Sequence, residues 1–290
     1  MLHLPNPLVN AFRSQLAMMG LLEEAAKGIA KNDIIGGVGD EESVEHFTHR
    51  FGVSAGRVQF ATLNADGQLR EVSDAVLSTF SEGRIAVLDI PCGGGAASCG
   101  LVSTLLELRA AKVMPRLPLS LSILGGDFAP CVRDIFGGML TGLAESARAE
   151  GICFRFSVAE WNATQSDATA KLIDDWFTQS EGAEEFVVLV SSFSGHLKSA
   201  AAFAEFSPCL EHIMARLHGR RATVLWIEPE MKQAESVLQR LKQFVAALAS
   251  RFRVPWGSPQ TSRTARYQMA HPLNHGVHRS SLVVQSFTRQ

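Results

Sequence analysis

Three consecutive glycines join a short apolar run to a leucine-rich run in RIAVLDIPCGGGAASCGLVSTLLEL, residues 84–108. Residues 85–90 predict a buried strand, and leucines in 101–108 recur with the period of a helix. Glycine permits positive φ and close backbone approach, and the first turn of a helix offers unpaired N–H groups. Residues 93–95 therefore predict either a tight turn or a loop that receives a polar or anionic part of a ligand.

Two further segments place acid–base groups after predicted strands. VSSFSGHLK follows residues 186–190 and contains His196, and the sequence IEPE ends the run 223–230 with Glu228 and Glu230. An imidazole exchanges protons near neutral pH, and a carboxylate accepts a proton or binds a substrate. His196 and Glu228 are therefore candidate catalytic groups. Each also suits a structural role, as a surface or cap histidine or as an acid favourable at a helix start.

Histidine, tyrosine and arginine are concentrated in TARYQMAHPLNHGVHRSS, residues 264–281. His271, His275 and His278 would share one face of a helix, but Pro272 opposes a helix there. No carboxylate or cysteine stands nearby to complete a metal site. We therefore expect no metal and predict a polar loop over residues 258–279 that binds an anion.

The charge is unevenly distributed along the 290 residues. The chain has 27 basic and 29 acidic residues, whereas residues 236–290 contain eight basic residues and no acidic one. This pattern suits either a solvated helix face or a surface that meets an anionic substrate or partner. Arg266, Tyr267 and Arg279 lie in this stretch and are candidate acceptor-binding residues.

The composition is that of a folded protein, with 46% hydrophobic and 19% charged residues. No apolar run is long enough to span a membrane, and the first twenty residues lack the features of a signal peptide. The five cysteines include no CxxC pair. They predict free thiols and a cytoplasmic protein, because a disulfide framework would pair its cysteines.

Strand and helix signals alternate from residue 84 onward. Apolar runs predict strands at residues 85–90, 119–124, 153–158, 186–190 and 223–227, and SSLVVQSF predicts a last, antiparallel strand. The alternation predicts a doubly wound α/β domain over residues 83–290, with a mostly parallel sheet and helices on both faces. Residues 1–82 read as a mainly helical accessory segment.

Three local signals refine this assignment. Asp66-Gly67 allows a hairpin or a simple loop within VQFATLNADGQLREV. Pro208 predicts the break or the beginning of a helix, and Gly219 predicts its end.

Four strand-end motifs, in order along residues 84–290, resemble those of class I S-adenosylmethionine-dependent methyltransferases. VLDIPCGGG resembles the first motif, although Pro91 stands where a glycine is usual. LSILGGDFAP resembles the second, FRFSVAEWNAT the third, and LEHIMARLHGRRATVLWIEPE the fifth strand with its preceding helix. The separation of 38 positions between Asp89 and Asp127 exceeds the family's usual spacing. The resemblance implies a seven-stranded sheet and S-adenosylmethionine as the cofactor.

The resemblance also implies roles for residues at the matching positions. Those expected to contact the cofactor are Asp89, Pro91, Cys92, Gly93, Gly95, Asp127, Phe128, Glu160, Trp161, Asn162 and Ser191. Asp127 would bind the ribose hydroxyls, and one of Glu160, Trp161 and Asn162 would contact the adenine amino group. The fold that the resemblance implies places the substrate beyond the strand ends, so Ser192, His196 and Glu230 are expected to contact the methyl acceptor. The basic C-terminal stretch, apart from the resemblance, adds Arg266, Tyr267 and Arg279.

Two other functions share parts of this pattern. A nicotinamide dehydrogenase would carry G-x-G-x-x-G directly after the strand, and the glycines here miss that spacing by two. A non-catalytic binding protein would suit Pro91 and the absence of an Asp/Asn-Pro-Pro-aromatic motif after the fourth strand. That absence also opposes adenine-N6 methylation. The sequence favours a methyltransferase.

The acceptor is expected to be a small anionic molecule, with an RNA base as the alternative. Nucleic-acid tracks neutralise many phosphates and interleave aromatic with basic residues. Here the net charge is −2 and the chain has a single tyrosine.

Overall fold

The centre of the molecule is a seven-stranded mixed sheet, seen in a computed structural model that describes residues 1–28, 39–63, 67–252 and 263–289. Its strands are β1 (Gly83–Asp89), β2 (Leu119–Asp127), β3 (Ile152–Glu160), β4 (Glu185–Ser191), β5 (Ala222–Glu228), β6 (Arg263–Ala270) and β7 (Val277–Arg289). They lie in the order β3-β2-β1-β4-β5-β7-β6. Strands β1 to β5 pair in parallel, and β7 is antiparallel to both β5 and β6. The sheet is therefore mixed, with its antiparallel pairings at one side.

Helices cover both faces of this sheet. They are α1 (Asn6–Met18), α2 (Leu22–Ala26), α3 (Asp40–Leu63), α4 (Arg70–Thr79), α5 (Ala96–Ala110), α6 (Pro130–Ala149), α7 (Ser166–Gln179), α8 (Ala200–Arg216) and α9 (Lys232–Phe252). One core lies between the sheet and α1, α3, α5 and α6, and a second lies between the sheet and α7, α8 and α9. The α/β layering expected from the alternating sequence pattern is confirmed.

The five predicted parallel strands coincide with β1 to β5, but the predicted polar loop over residues 258–279 is wrong where it overlaps β6. Side chains alternate along β6, with Ala265, Tyr267 and Met269 buried and the residues between them exposed. Alternation of this kind is the pattern of a half-buried strand. Residues 258–262 lie outside the described ranges.

The hairpin alternative around Asp66-Gly67 is also wrong. Asp66 itself lies outside the described residues, but the flanking segments are the helices α3 and α4. Helix α3 packs closely on α5: a Cβ at Gly100 would lie 3.0 Å from the carbonyl oxygen of Ala55.

The helix α8 runs through Pro208, where the sequence predicted a break or a beginning. A proline cannot donate to the carbonyl four residues earlier. Here that carbonyl, Ala204 O, accepts a hydrogen bond from the Ser207 hydroxyl at 2.9 Å. The lost backbone bond is thereby replaced within the same turn. Gly219 has φ +81° just beyond the helix end, as predicted.

The N-terminal helices share a core with the sheet. Phe12 of α1 stacks on Phe51 of α3 with ring centroids 4.7 Å apart, and Phe47 meets both rings edge-on. These side chains belong to the same apolar cluster as Val87 of β1. Helix α3 therefore has a fixed position over the sheet. The boundary between residues 1–82 and 83–290 stays a prediction from sequence.

All five cysteines are free. Within the described ranges, no helix is both long enough and apolar enough to cross a bilayer.

Candidate functional site

A cavity of about 730 Å³ lies at the carboxyl ends of β1 to β5. The strand order reverses between β1 and β4, and such a reversal leaves a crevice because the flanking connections lead away in opposite directions. Cys92, Asp127, Trp161, Ser191 and Glu228 line it, one residue at or just beyond the end of each parallel strand. The fold thus brings together groups that are far apart in the sequence.

The three glycines meet two different requirements of the loop between β1 and α5. Gly93 and Gly95 have φ values of +48° and +85°, which favour glycine. Gly94 has no space for a side chain, because a methyl group there would overlap the ring of Phe47. The glycine loop is thus pressed against α3 while Gly93 remains in the cavity wall.

Asp89, expected to contact the cofactor, lies beneath the cavity and does not line it. Its Oδ2 accepts hydrogen bonds from the backbone N–H and the hydroxyl of Ser98, at 3.1 and 2.6 Å. Its Oδ1 is buried and has no hydrogen-bond partner among the described residues. Burial raises the pKa of Asp89 to about 7. The carboxyl group therefore holds the start of α5 from inside.

We expect Asp89→Asn to become more stabilising as the pH rises. The pKa of Asp89 is raised from 3.8 to about 7 by folding, so its contribution to stability is full below the unfolded value and is lost as the pH rises through 7. Asparagine does not titrate. The stability difference between variant and wild type should therefore grow by roughly 1–3 kcal/mol between pH 5 and pH 8. Urea denaturation of both proteins at pH 5 and at pH 8 measures this difference in the free energy of unfolding.

The matched control for this experiment is Asp134→Asn, at an exposed aspartate on α6. Its stability difference should stay constant over the same range. A constant difference for Asp89→Asn as well would contradict the prediction.

Asp127 sits in the cavity wall at the end of β2. Its Oδ2 accepts a hydrogen bond from Gly93 N at 2.9 Å, and its Oδ1 accepts one from Ala129 N at 3.2 Å. Burial raises its pKa. An ionised carboxylate has about four acceptor positions, so Asp127 retains capacity for ligand hydroxyls. Phe128, beside it, is 52% exposed and gives the wall a flat apolar surface.

Of the three alternatives expected to contact adenine, Trp161 and Asn162 line the cavity and Glu160 does not. The indole N–H of Trp161 already donates to the Thr169 hydroxyl at 2.9 Å. The side-chain oxygen of Asn162 accepts from Thr164 N at 3.0 Å. Asn162 is the more polar of the two lining groups.

Glu228 organises the turn that follows β4. Its Oε1 accepts hydrogen bonds from Phe193 N at 2.8 Å, Ser194 N at 3.1 Å and the indole N–H of Trp226 at 2.6 Å. Its Oε2 is buried with no hydrogen-bond partner among the described residues. Burial raises the pKa of Glu228. Glu228 therefore lines the cavity while its Oε1 holds the turn after β4.

Ser192 and His196 occupy the same turn and line the cavity. Ser192 has φ +57°, an uncommon conformation for a residue other than glycine, found where the surrounding structure imposes it. Its hydroxyl lies 3.4 Å from Arg57 Nη1 and 3.5 Å from the Ser54 hydroxyl. The turn after β4 is thus held by Glu228 of β5 on one side and contacts Ser54 and Arg57 of α3 on the other.

Helix α3 contributes a polar wall that the sequence analysis missed. His46, Arg50, Ser54 and Arg57 recur at spacings of four, four and three residues, which places them on one helix face, and all line the cavity. Burial, with the charges of Arg50 and Arg57, lowers the pKa of His46 to about 4. Its imidazole is therefore neutral near pH 7. The spacing was visible in HFTHRFGVSAGR as a polar stripe beside Phe47 and Phe51.

Several residues expected to bind the acceptor lie outside the cavity. Arg266 of β6 pairs with Glu230 at 2.9 Å, and Tyr267 is buried with its ring stacked on Phe60. Arg279 is exposed on β7. The reason is that these positions belong to the strand pair at the sheet edge rather than to a loop over the strand ends. Among the described residues, no three His, Cys, Asp or Glu side chains converge as metal ligands.

No protein-family model matches the sequence, and no curated protein matches it. One similar solved structure, described as "Conversion of a Disulfide Bond into a Thioacetal Group during Echinomycin Biosynthesis", is 14% identical with a TM-score of 0.37 over 75% of this chain and 80% of the other. The restriction-modification enzyme LlaBIII bound to DNA is 10% identical with a TM-score of 0.46. The DrdV–DNA complex is 9% identical with a TM-score of 0.38.

The likeness to LlaBIII covers 97% of this chain and that to DrdV covers 87%. This chain spans 21% of the LlaBIII chain and 29% of the DrdV chain.

Proposed function

We propose that the protein is an S-adenosylmethionine-dependent methyltransferase. The observation that carries the proposal is the pairing of Asp127 with Gly93 across the cavity wall, 2.9 Å from oxygen to nitrogen. This hydrogen bond joins the acid at the end of β2, in the second motif, to the glycine loop after β1, in the first motif. Both motifs resemble those of this family.

The residues present fit the cofactor. Asp127 retains acceptor positions for the two ribose hydroxyls, and Phe128 offers a flat apolar surface to the adenine. Asn162 also lines the cavity, and its side-chain oxygen would accept a hydrogen bond from the adenine amino group. The Gly93 backbone would lie beside the methionine part. The cofactor supplies a methyl group on a sulfonium, which an acceptor takes by in-line displacement.

The chain's own residues then orient the acceptor and exclude water. Where the accepting atom carries a proton, we assign its removal to His196, which lines the cavity opposite α3. Glu228 holds the turn that carries His196 and also lines the cavity. A nearby base contributes to such transfers only within hydrogen-bond reach of the proton.

The sheet supports this proposal over a nicotinamide dehydrogenase. In the dinucleotide-binding fold the sixth strand continues the sheet in parallel order 3-2-1-4-5-6. Here the antiparallel β7 lies between β5 and β6. The sheet therefore departs from that fold at its β5-β7-β6 edge, and the glycine spacing after β1 departs from its fingerprint separately.

Calorimetric titration with S-adenosylmethionine, S-adenosylhomocysteine and NAD tests cofactor binding. We expect the first two ligands to bind and NAD not to bind, whereas binding of NAD alone would overturn the proposal. Incubation with radiolabelled methyl donor and a cell extract then tests turnover. Labelled product supports an enzyme, and binding without any labelled product would show a non-catalytic protein instead.

A further inference from the structure

We infer that α3 binds the anionic group of the methyl acceptor, with Arg57 as the central contact. The inference rests on the proposed function for the identity of the ligand as an acceptor. Arg57 projects from α3 into the inner wall of the cavity, near the turn after β4. Neither its residue type nor its position was assigned a role from the sequence.

The guanidinium of Arg57 is poorly satisfied by the protein. Its Nη1 donates to the Ser54 and Ser192 hydroxyls at 3.4 Å each, which are long hydrogen bonds to neutral groups. Its Nε is buried with no partner, and no carboxylate lies within 4.0 Å of it among the described residues. A mostly buried guanidinium without a counter-ion is unfavourable, since its charge is permanent.

Glu228 is not an ion-pair partner of Arg57. Its charge interacts with that of Arg57, but Oε1 is already occupied by three N–H donors and the two side chains form no ion pair within the described ranges. Arg57 thus lines the cavity without a carboxylate partner among the described residues. A planar or tetrahedral oxyanion matches the fork geometry of its guanidinium.

Other basic groups surround the same space. Arg50 shares the α3 face with Arg57. His46 on the same face is neutral near pH 7, so it adds a hydrogen-bonding group but no positive charge. Lys198 lines the cavity from the segment after β4. Asp127 marks the cofactor side, on β2. The basic groups thus collect on the acceptor side of the cavity.

This arrangement favours a small acceptor with one carboxylate or phosphate over a nucleic acid. Arg57 lines the cavity and is mostly buried, so it is not part of an exposed surface track. A nucleic acid would need an exposed basic track along which successive phosphates bind. The carboxylate and the phosphate share the same recognition chemistry, and separate arms of the experiment distinguish them.

The test measures stability against added anion at constant ionic strength. Urea denaturation of the full chain is followed with increasing inorganic phosphate in one series and benzoate in another, with chloride as balance. A ligand that binds only the folded state raises the midpoint. We expect wild type to respond to at least one anion and Arg57→Met to need about tenfold more of it or not to respond.

Three variants complete the test. Arg148→Met removes an equal charge from the exposed last turn of α6 and should respond like wild type. Arg57→Lys keeps the charge without the fork and should respond between wild type and Arg57→Met. Without anion, Arg57→Met should have a higher midpoint than wild type, because an unpaired buried charge has been removed.

Equal responses of wild type, Arg57→Lys and Arg57→Met would overturn the inference. Tight binding of a 20-nucleotide polyuridylate with a steep salt dependence would also overturn it, because the polar wall of α3 would then bind nucleic acid. The proposed function is tested separately by S-adenosylmethionine titration of the same proteins. An anion response without cofactor binding would refute the methyltransferase and retain the anion site.

Discussion

Glu228→Ala should lower the free energy of unfolding by about 3–5 kcal/mol. The substitution removes the oxygen that accepts from Phe193 N, Ser194 N and the Trp226 indole. Three buried donors would lose their partner at once, and the alanine would leave a cavity beneath the turn. Urea denaturation with tryptophan fluorescence measures the loss, since Trp226 packs beside the changed residue.

Glu228→Gln is the matched control, because its amide oxygen still accepts from the same donors. We expect it to lose only about 1 kcal/mol. The pair of variants also separates structure from chemistry. Normal turnover in a stable Glu228→Gln protein would show that Glu228 acts by positioning the turn, whereas lost turnover would support its candidate role as a base. A loss below 1 kcal/mol for Glu228→Ala would contradict the structural argument.

Asp127→Ala should weaken S-adenosylmethionine binding about 100-fold, or roughly 3 kcal/mol. The change would remove the acceptor for the ribose hydroxyls and release Gly93 N and Ala129 N, which now donate to the same carboxylate. Calorimetric titration of wild type and variant measures the ratio of dissociation constants. An unchanged constant would remove Asp127 from the site.

A ligand pair separates the two effects of this substitution. Adenosine and 2′-deoxyadenosine differ by one ribose hydroxyl, so wild type should prefer adenosine. Asp127→Ala should lose that preference, because it removes both acceptor oxygens. If the variant weakened both nucleosides equally, Asp127 would act only by holding the glycine loop.

Much of the fold followed from local sequence. The five parallel strands coincide with apolar runs of strand length in the sequence. The apolar stripes of α5, α6 and α9 are buried, as their helical period predicted. Strand β6 was missed because four polar or charged residues alternate with its buried ones, which resembles a loop in composition alone. The extent of α8 was missed because a side-chain hydroxyl, not the backbone, satisfies the carbonyl opposite Pro208.

The sequence predicted the strand-end side of the cavity lining but not the side that α3 contributes. Motifs at strand ends identified Gly93, Asp127 and Glu228 because a strand end fixes where its next residue points. The α3 wall was not identified, since nothing in HFTHRFGVSAGR shows which strand edge the helix crosses. That placement depends on long-range packing, such as Phe47 against Gly94 and Phe51 against Phe12.

The way α3 is anchored also determines how ligands reach the cavity. Its aromatic side chains are part of the main core, so lifting the helix would require breaking that core. Two large apolar side chains of the cavity lining are instead solvent-exposed, Phe128 by 52% and Met231 by 48%. They mark an exposed part of the cavity rim. Ligand exchange through this rim needs no displacement of α3, so we expect the observed association rate to rise linearly with ligand concentration rather than to level off at the rate of a slow helix opening.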